Sequence, residues 1–230
     1  DFGLPVGGGN PGDATYNVNT EVSRTVVPAF LCPSDSNQQG LMANRSNVPS
    51  GGGGSGSDSR AITNYKACAG SNWGWGDAVC RHRYVRGGHW PNDWNGLDRG
   101  NGIIMRNYNN YRQAWIRFAE IEDGTSNTFA VGEAVPRWCT HTWWWWFNGS
   151  TATCGVPLNY VSNAIRTDPA RTLETQWTDW PNNYSFMSRH PGGANFALCD
   201  GSVTFISDTI NMTTYRMLAN RGDGNPVQAR

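Results

Sequence analysis

The chain has 230 residues, enough for one substantial domain that buries roughly 70% of its unfolded surface. Eighteen Lys and Arg balance eighteen Asp and Glu, so no net field gathers nucleic acid or an anionic membrane. Twenty-eight glycines and a mean hydropathy of -0.57 argue for a loop-rich fold and against a helix bundle.

Residues 1–27 are polar and glycine-rich, and Thr25 to Cys32 reads as a first strand, with Pro28 placing it at an edge or a bend. The Gly/Ser-rich stretch 49–59 is a flexible tether with a mean span of roughly 15–20 Å. From 73 to 116, Trp73, Trp75, Trp90, Trp94 and Trp115 are scattered among Gly, Asn, Asp and Tyr without a helical or strand period, which predicts long ordered loops. Trp115 to Glu122 has the spacing of a short helix ended by Asp123-Gly124, and Thr128 to Glu133 reads as a strand. Asp208 or Thr209 caps a last helix that runs to about Leu218 and ends by Gly222.

The clearest local signal is Asp200-Gly201 between two alternating runs, which predicts a β-hairpin. A two-residue turn there pairs Cys199 with Ser202, Leu198 with Val203 and Phe196 with Phe205. Phe196, Leu198, Val203 and Phe205 then share a core face. Together these elements predict an α+β fold: an antiparallel sheet with a C-terminal β-hairpin, few short helices and long loops.

Three segments carry a family resemblance. Phe30-Leu-Cys-Pro-Ser-Asp35 is similar to an FLCPSD box, and Arg117 through Glu133 is similar to an RFAxIxDGTSNTxxxGE box. His190, nine residues, then Asp200-Gly201 resembles the His-x9-Asp-Gly signature. In this order the boxes resemble a prepilin-like family best known from planctomycete bacteria. The resemblance implies a pilin- or pseudopilin-like globular head that is exported, displayed at the cell surface and without an assigned activity. It also implies a basic leader and a long apolar helix. The chain opens at Asp1-Phe-Gly-Leu-Pro, and no apolar run of the roughly 18 residues needed for a membrane span occurs in it. Because the boxes continue on both sides of 49–59, that stretch reads as a surface loop within a single head domain, 1–230.

Six cysteines lack any CxxC pair, which argues against zinc ribbons and redox motifs. In an exported protein they read as three disulfides, and local spacing suggests Cys68–Cys80 and Cys139–Cys154, leaving Cys32 with Cys199. Six cysteines permit fifteen pairings, so other connectivities stay open.

Catalytic signals are weak. His190 and Asp200 form half of many proton-transfer sites, but Asp200 suits a turn tip, far back from which His190 lies. Bonding to the backbone, or packing at an interface, is the expected role of His190. No nucleophile elbow, phosphate loop or HExxH is present, and Cys80, His82 and His89 make a poor metal set if Cys80 is bridged. Asp123, Thr125, Ser126, Asn127 and Glu133 offer hard oxygens around a glycine turn that suit Ca²⁺, although the same groups satisfy backbone in an Asx or ST turn. No other cofactor is expected.

Trp143 to Trp146 place two indoles on each face of any strand, so both faces are covered or one meets a partner. With Trp90 and Trp94 they are the interface or glycan-stacking candidates. The expectation is a secreted or surface structural protein, not an enzyme, that assembles with itself into a filament, tube or coat. A glycan-binding module of the cell envelope is the alternative. No nucleic-acid partner is expected.

Overall fold

The structure, a computed structural model, describes residues 18–35, 40–43, 59–73, 97, 100–105, 115–139, 141–146, 149–175 and 180–227. It is an α+β fold. The elements follow the order α1 (Val18–Val22), β1 (Leu41–Ala43), β2 (Ser59–Ala61), β3 (Tyr65–Cys68), β4 (Phe129–Glu133), β5 (Thr151–Ala152), α2 (Asn163–Arg166), α3 (Trp180–Tyr184), β6 (Gly193–Leu198), β7 (Val203–Ser207) and α4 (Met212–Leu218). β1 and β2 form a small antiparallel pair, and the main sheet runs β5-β3-β4-β6-β7. Every pair in the main sheet is antiparallel except β3 with β5, which is parallel. No helix among the described residues is long and apolar enough to cross a membrane.

The hairpin is present, but its register differs by one residue from the expected one. Ala197 lies opposite Val203, Phe196 opposite Thr204 and Asn195 opposite Phe205. The turn holds three residues: Leu198 N–H donates to Ser202 O at 2.8 Å, Gly201 N–H donates to Leu198 O at 3.0 Å, and Gly201 takes a φ of +86°. A glycine in that conformation closes a three-residue loop with a bulge, which wins over the two-residue turn. Because side chains alternate, the slip sends Val203 and Phe205 to solvent, 68% and 48% exposed. Phe196 and Leu198 stay on the core face, and Ile206 joins them there.

That core is aromatic. Phe129 stacks on Phe196 at 4.3 Å between centroids, and Phe186 and Tyr215 meet Phe196 edge-on at 4.9 and 6.0 Å. Gly132 makes the arrangement possible, since a Cβ there would lie 2.5 Å from both Phe186 and Phe196. α4 closes this core with Tyr215 and Leu218, its N-terminus capped by Asn211, whose side chain accepts from Thr213 and Thr214 N–H. The cap thus sits two or three residues later than Asp208 or Thr209.

Two other expected elements are shorter than the sequence suggests. The Thr25–Cys32 segment is a 3-10 turn at Pro28–Phe30 rather than a strand, since Pro28 suits the first position of a helical turn. Of the expected 115–122 helix only a 3-10 turn at Phe118–Glu120 forms. The 49–59 loop lies outside the described residues, apart from Ser59 at the start of β2, as does all of 74–96.

Trp143 and Trp146 are buried with Met42 and Ile62, and Trp145 packs against them. Trp144 is half-buried and donates its indole N–H to Thr25 O at 2.9 Å. Trp143, Trp145 and Trp146 thus pack internally, and Trp144 is anchored to the Thr25 backbone. Trp90 and Trp94 lie outside the described residues.

Seventeen of the eighteen basic residues are arginine, and that bias has a structural use. Arg221 donates to the carbonyls of Gly100 and Gly102 at 3.0 and 2.8 Å, and Arg216 to that of Gly155 at 3.1 Å. The single lysine is also internal: Lys66 is fully buried and donates to Asn183 O at 2.7 Å. Burial holds its pKa below the ordinary lysine value.

All five described cysteines are free thiols. The expected Cys139–Cys154 and Cys32–Cys199 bridges are not formed, because the parallel β3–β5 pairing brings Cys154 into hydrogen bonding with Cys68. Cys139 instead sits 3.8 Å from Lys66 Nζ. Cys80, and with it the expected Cys68–Cys80 bridge, lies outside the described residues. On mild oxidation, peptide mapping without reductant is expected to recover a Cys68–Cys154 bridge first. A Cys139–Cys154 peptide in its place would contradict the β3–β5 arrangement.

Burial pushes the Cys154 thiol and the Tyr215 hydroxyl well above their ordinary values, and the Cys199 thiol up to about 12. Unfolded, such thiols ionise from about pH 9 and phenols from about pH 10. Above those values the native state holds more protons, so stability is full below about pH 9 and falls as pH rises. Each fully buried acid removes about 1.4 kcal/mol per pH unit. Lys66, with its lowered value, acts in the opposite sense below its unfolded pKa, but it is one base against several acids. Denaturation midpoints of the reduced protein are expected to fall between pH 9 and 11, less steeply in Tyr215→Phe.

Candidate functional site

One cleft gathers residues from all three sequence boxes. Cys32 comes from the first box, Glu133 ends β4 and the second, and His190 opens the third just before β6. Each offers one ligand atom, and these atoms lie within 4.8 Å of one another, the one such cluster among the described residues. His190 Nε2 is 3.3 Å from Glu133 Oε1, with the glutamate nearly buried and the imidazole 30% exposed. Ser34, Asp35, Met187, Ser188 and Arg189 complete the walls. The enclosed space is about 10 Å³. That is room for roughly one water or ion.

The positioning starts from Asn64, just before β3. Its N–H donates to Phe30 O at 2.8 Å, and its side-chain carbonyl accepts from Cys32 N–H at 3.1 Å. Its amide then donates to Asp35 Oδ2 at 2.9 Å and to Ala134 O at 3.2 Å. One buried amide thus fastens the Phe30–Asp35 segment to the end of β4. Arg189 fastens the same segment to the third box, with Nε donating to Asp35 Oδ1 at 3.1 Å. The guanidinium lies 4.8 Å over the Trp138 ring and also reaches Glu174.

Glu133 is fixed by Asn195, whose N–H donates to Oε2 at 2.8 Å and whose side-chain amide donates to Oε1 at 3.2 Å. His190 is set by a turn in which its N–H donates to Ser188 Oγ at 3.1 Å. Tyr65, opposite Glu133 in the β3–β4 register, is hydrogen-bonded to Cys32. Burial, then the Cys32 sulfur and the Glu133 charge, push the Tyr65 hydroxyl up to about 12. It therefore stays protonated and a donor throughout the physiological range.

His190 and Asp200, adjacent in the signature, have separate roles. Asp200 sits at the exposed hairpin tip, where its Oδ1 accepts from Ser202 N–H and hydroxyl at 2.9 and 2.7 Å. Those bonds hold its carboxyl below the usual carboxylate range. The turn rests on the second box, with Asp200 N–H donating to Thr125 O and Cys199 N–H to Thr128 O. His190, expected to bond a backbone group or pack at an interface, faces the Glu133 carboxylate instead.

The calcium set is not assembled. Asp123 turns its carboxylate to the N–H groups of Asp223 and Gly224, at 2.9 and 3.0 Å, and Asn127 donates to Asp123 O. Thr125 and Asn127 belong to a 3-10 turn that precedes β4. Glu133 ends that strand, about 13 Å along its length. The Asp123 carboxylate thus satisfies the backbone of the 223–224 segment, and Glu133 lies at the other site. Asn64, Tyr65 and Asn195 carry no motif, so sequence reasoning passes over them.

A model of the family described as "Protein of unknown function (DUF1559)" matches residues 1–213. The chain belongs to this family. No curated protein and no solved structure matches it.

Proposed function

We propose that this DUF1559 member is an exported, surface-displayed structural protein: a non-catalytic, prepilin-like head that assembles with copies of itself. The observation that carries the reading is β7. Among the described residues it is the free edge of the main sheet. Its sequence, Val-Thr-Phe-Ile-Ser, contains none of the lysines, prolines or charges that normally blunt an exposed edge. Val203 and Phe205 project from it into solvent. Such a strand invites a second strand, and a second copy supplies an identical one, antiparallel across a two-fold axis.

Glycan binding has less support. Among the described tryptophans only Trp115 is strongly exposed, at 71%, and one indole is a poor stacking platform. Catalysis has less still, since the Cys32–Glu133–His190 cleft has room for roughly one water or ion.

Light scattering and electron microscopy over a concentration series test the proposal. The unaltered protein is expected to form ordered oligomers, and Val203→Lys with Phe205→Lys is expected to abolish them while changing monomer stability by less than about 0.5 kcal/mol per site. A strictly monomeric particle at high concentration, or oligomers indifferent to these substitutions, would refute the β7 reading.

A further inference from the structure

We propose that Cys32, Glu133 and His190 bind a divalent transition-metal ion, and that zinc is the ion the site fits best. The proposal stands apart from self-assembly: either can fail while the other holds.

The geometry is close to what such an ion needs. Tetrahedral zinc with bonds of about 2.0–2.3 Å to nitrogen, oxygen and sulfur places its ligand atoms roughly 3.3–3.8 Å apart. The His190–Glu133 separation of 3.3 Å already falls there, and all three atoms lie within 4.8 Å, so a side-chain adjustment of about 1 Å closes the set. The donor chemistry is one sulfur, one imidazole nitrogen and one carboxylate oxygen. Calcium and magnesium prefer oxygen alone, whereas zinc accepts this mixture.

Charge also fits. A Cys32 thiolate and the Glu133 carboxylate together cancel a double positive charge, with His190 neutral. The thiol proton leaves to solvent as the ion enters. Beside the site, Asp35 and Arg189 already neutralise each other. The outer contacts are those that orient metal ligands: Asn195 holds both carboxylate oxygens of Glu133, and Tyr65 bonds the Cys32 sulfur. Three protein ligands leave a fourth position for a water. The ion ties together three segments far apart in the chain.

Alkylation kinetics of the unaltered, reduced protein provide the test, read per cysteine by mass spectrometry after metal removal with a chelator and with or without added Zn²⁺. Cys32 and Cys199 are both partly exposed, so Cys199 serves as the internal control. Zinc is expected to slow alkylation of Cys32 more than tenfold and to leave Cys199 unchanged. In the second arm, Co²⁺ in place of zinc is expected to give a thiolate-to-cobalt absorption band that Cys32→Ser abolishes and His190→Ala weakens. Unchanged Cys32 alkylation overturns the proposal, as does metal binding that survives Cys32→Ser. Because the first arm uses the native chain, a variant that fails to fold does not leave the question open.

Discussion

Phe196→Ala is expected to destabilise the protein by about 3–5 kcal/mol, and Phe205→Ala by less than about 1 kcal/mol. The contrast follows from the hairpin register. Phe196 is fully buried among Phe129, Phe186 and Tyr215, so its removal deletes the ring at the centre of the aromatic core and leaves a cavity that Gly132 cannot fill. Phe205 belongs to the other face and is 48% exposed. Under a two-residue turn both rings would point the same way and the two losses would be similar. Denaturant midpoints of the two variants therefore decide the register without any further structure.

Asp35→Ala is expected to cost about 2–4 kcal/mol, because the buried carboxylate accepts from both Asn64 and Arg189. Its loss strands the Asn64 amide on one remaining partner and frees Arg189 from the Phe30–Asp35 segment. Arg189→Ala is expected to cost less, since that side chain is a quarter exposed and its head is partly solvated. Chemical denaturation at neutral pH measures both. An Asp35→Ala effect below about 0.5 kcal/mol would show that the carboxylate is not engaged as described.

Some of this was legible in the sequence, and the reasons divide cleanly. The strand through Phe129–Glu133 and the last helix announce themselves by local pattern, and both form close to where expected. The hairpin does too, but its register rests on whether the turn has two or three residues, which Gly201 decides by taking a positive φ. The Thr25–Cys32 segment has strand-like residues, yet Pro28 begins a helical turn there. β3 escapes notice because its buried positions are Lys66 and Cys68 and its half-buried ones Tyr65 and Ala67, so a charged residue stands on the buried side and no alternation of polar and apolar residues marks the strand.

For the site, Cys32, Glu133 and His190 stand in the sequence as a disulfide candidate, a calcium candidate and a motif residue, and nothing in their spacing joins them. What unites them is the β3–β4–β6 order of the sheet, together with Asn64 and Arg189, which draw the Phe30–Asp35 segment over its end. Sheet order is a long-range property that spacing along the chain does not encode.

A double-mutant cycle on Asp35 and Arg189 addresses that convergence most directly, since Asp35 lies in the first box and Arg189 immediately precedes the third. With the boxes side by side, the double variant is expected to be more stable than the sum of the single losses predicts, by about 1–3 kcal/mol. Strict additivity, within about 0.3–0.5 kcal/mol, would mean that the two segments do not meet.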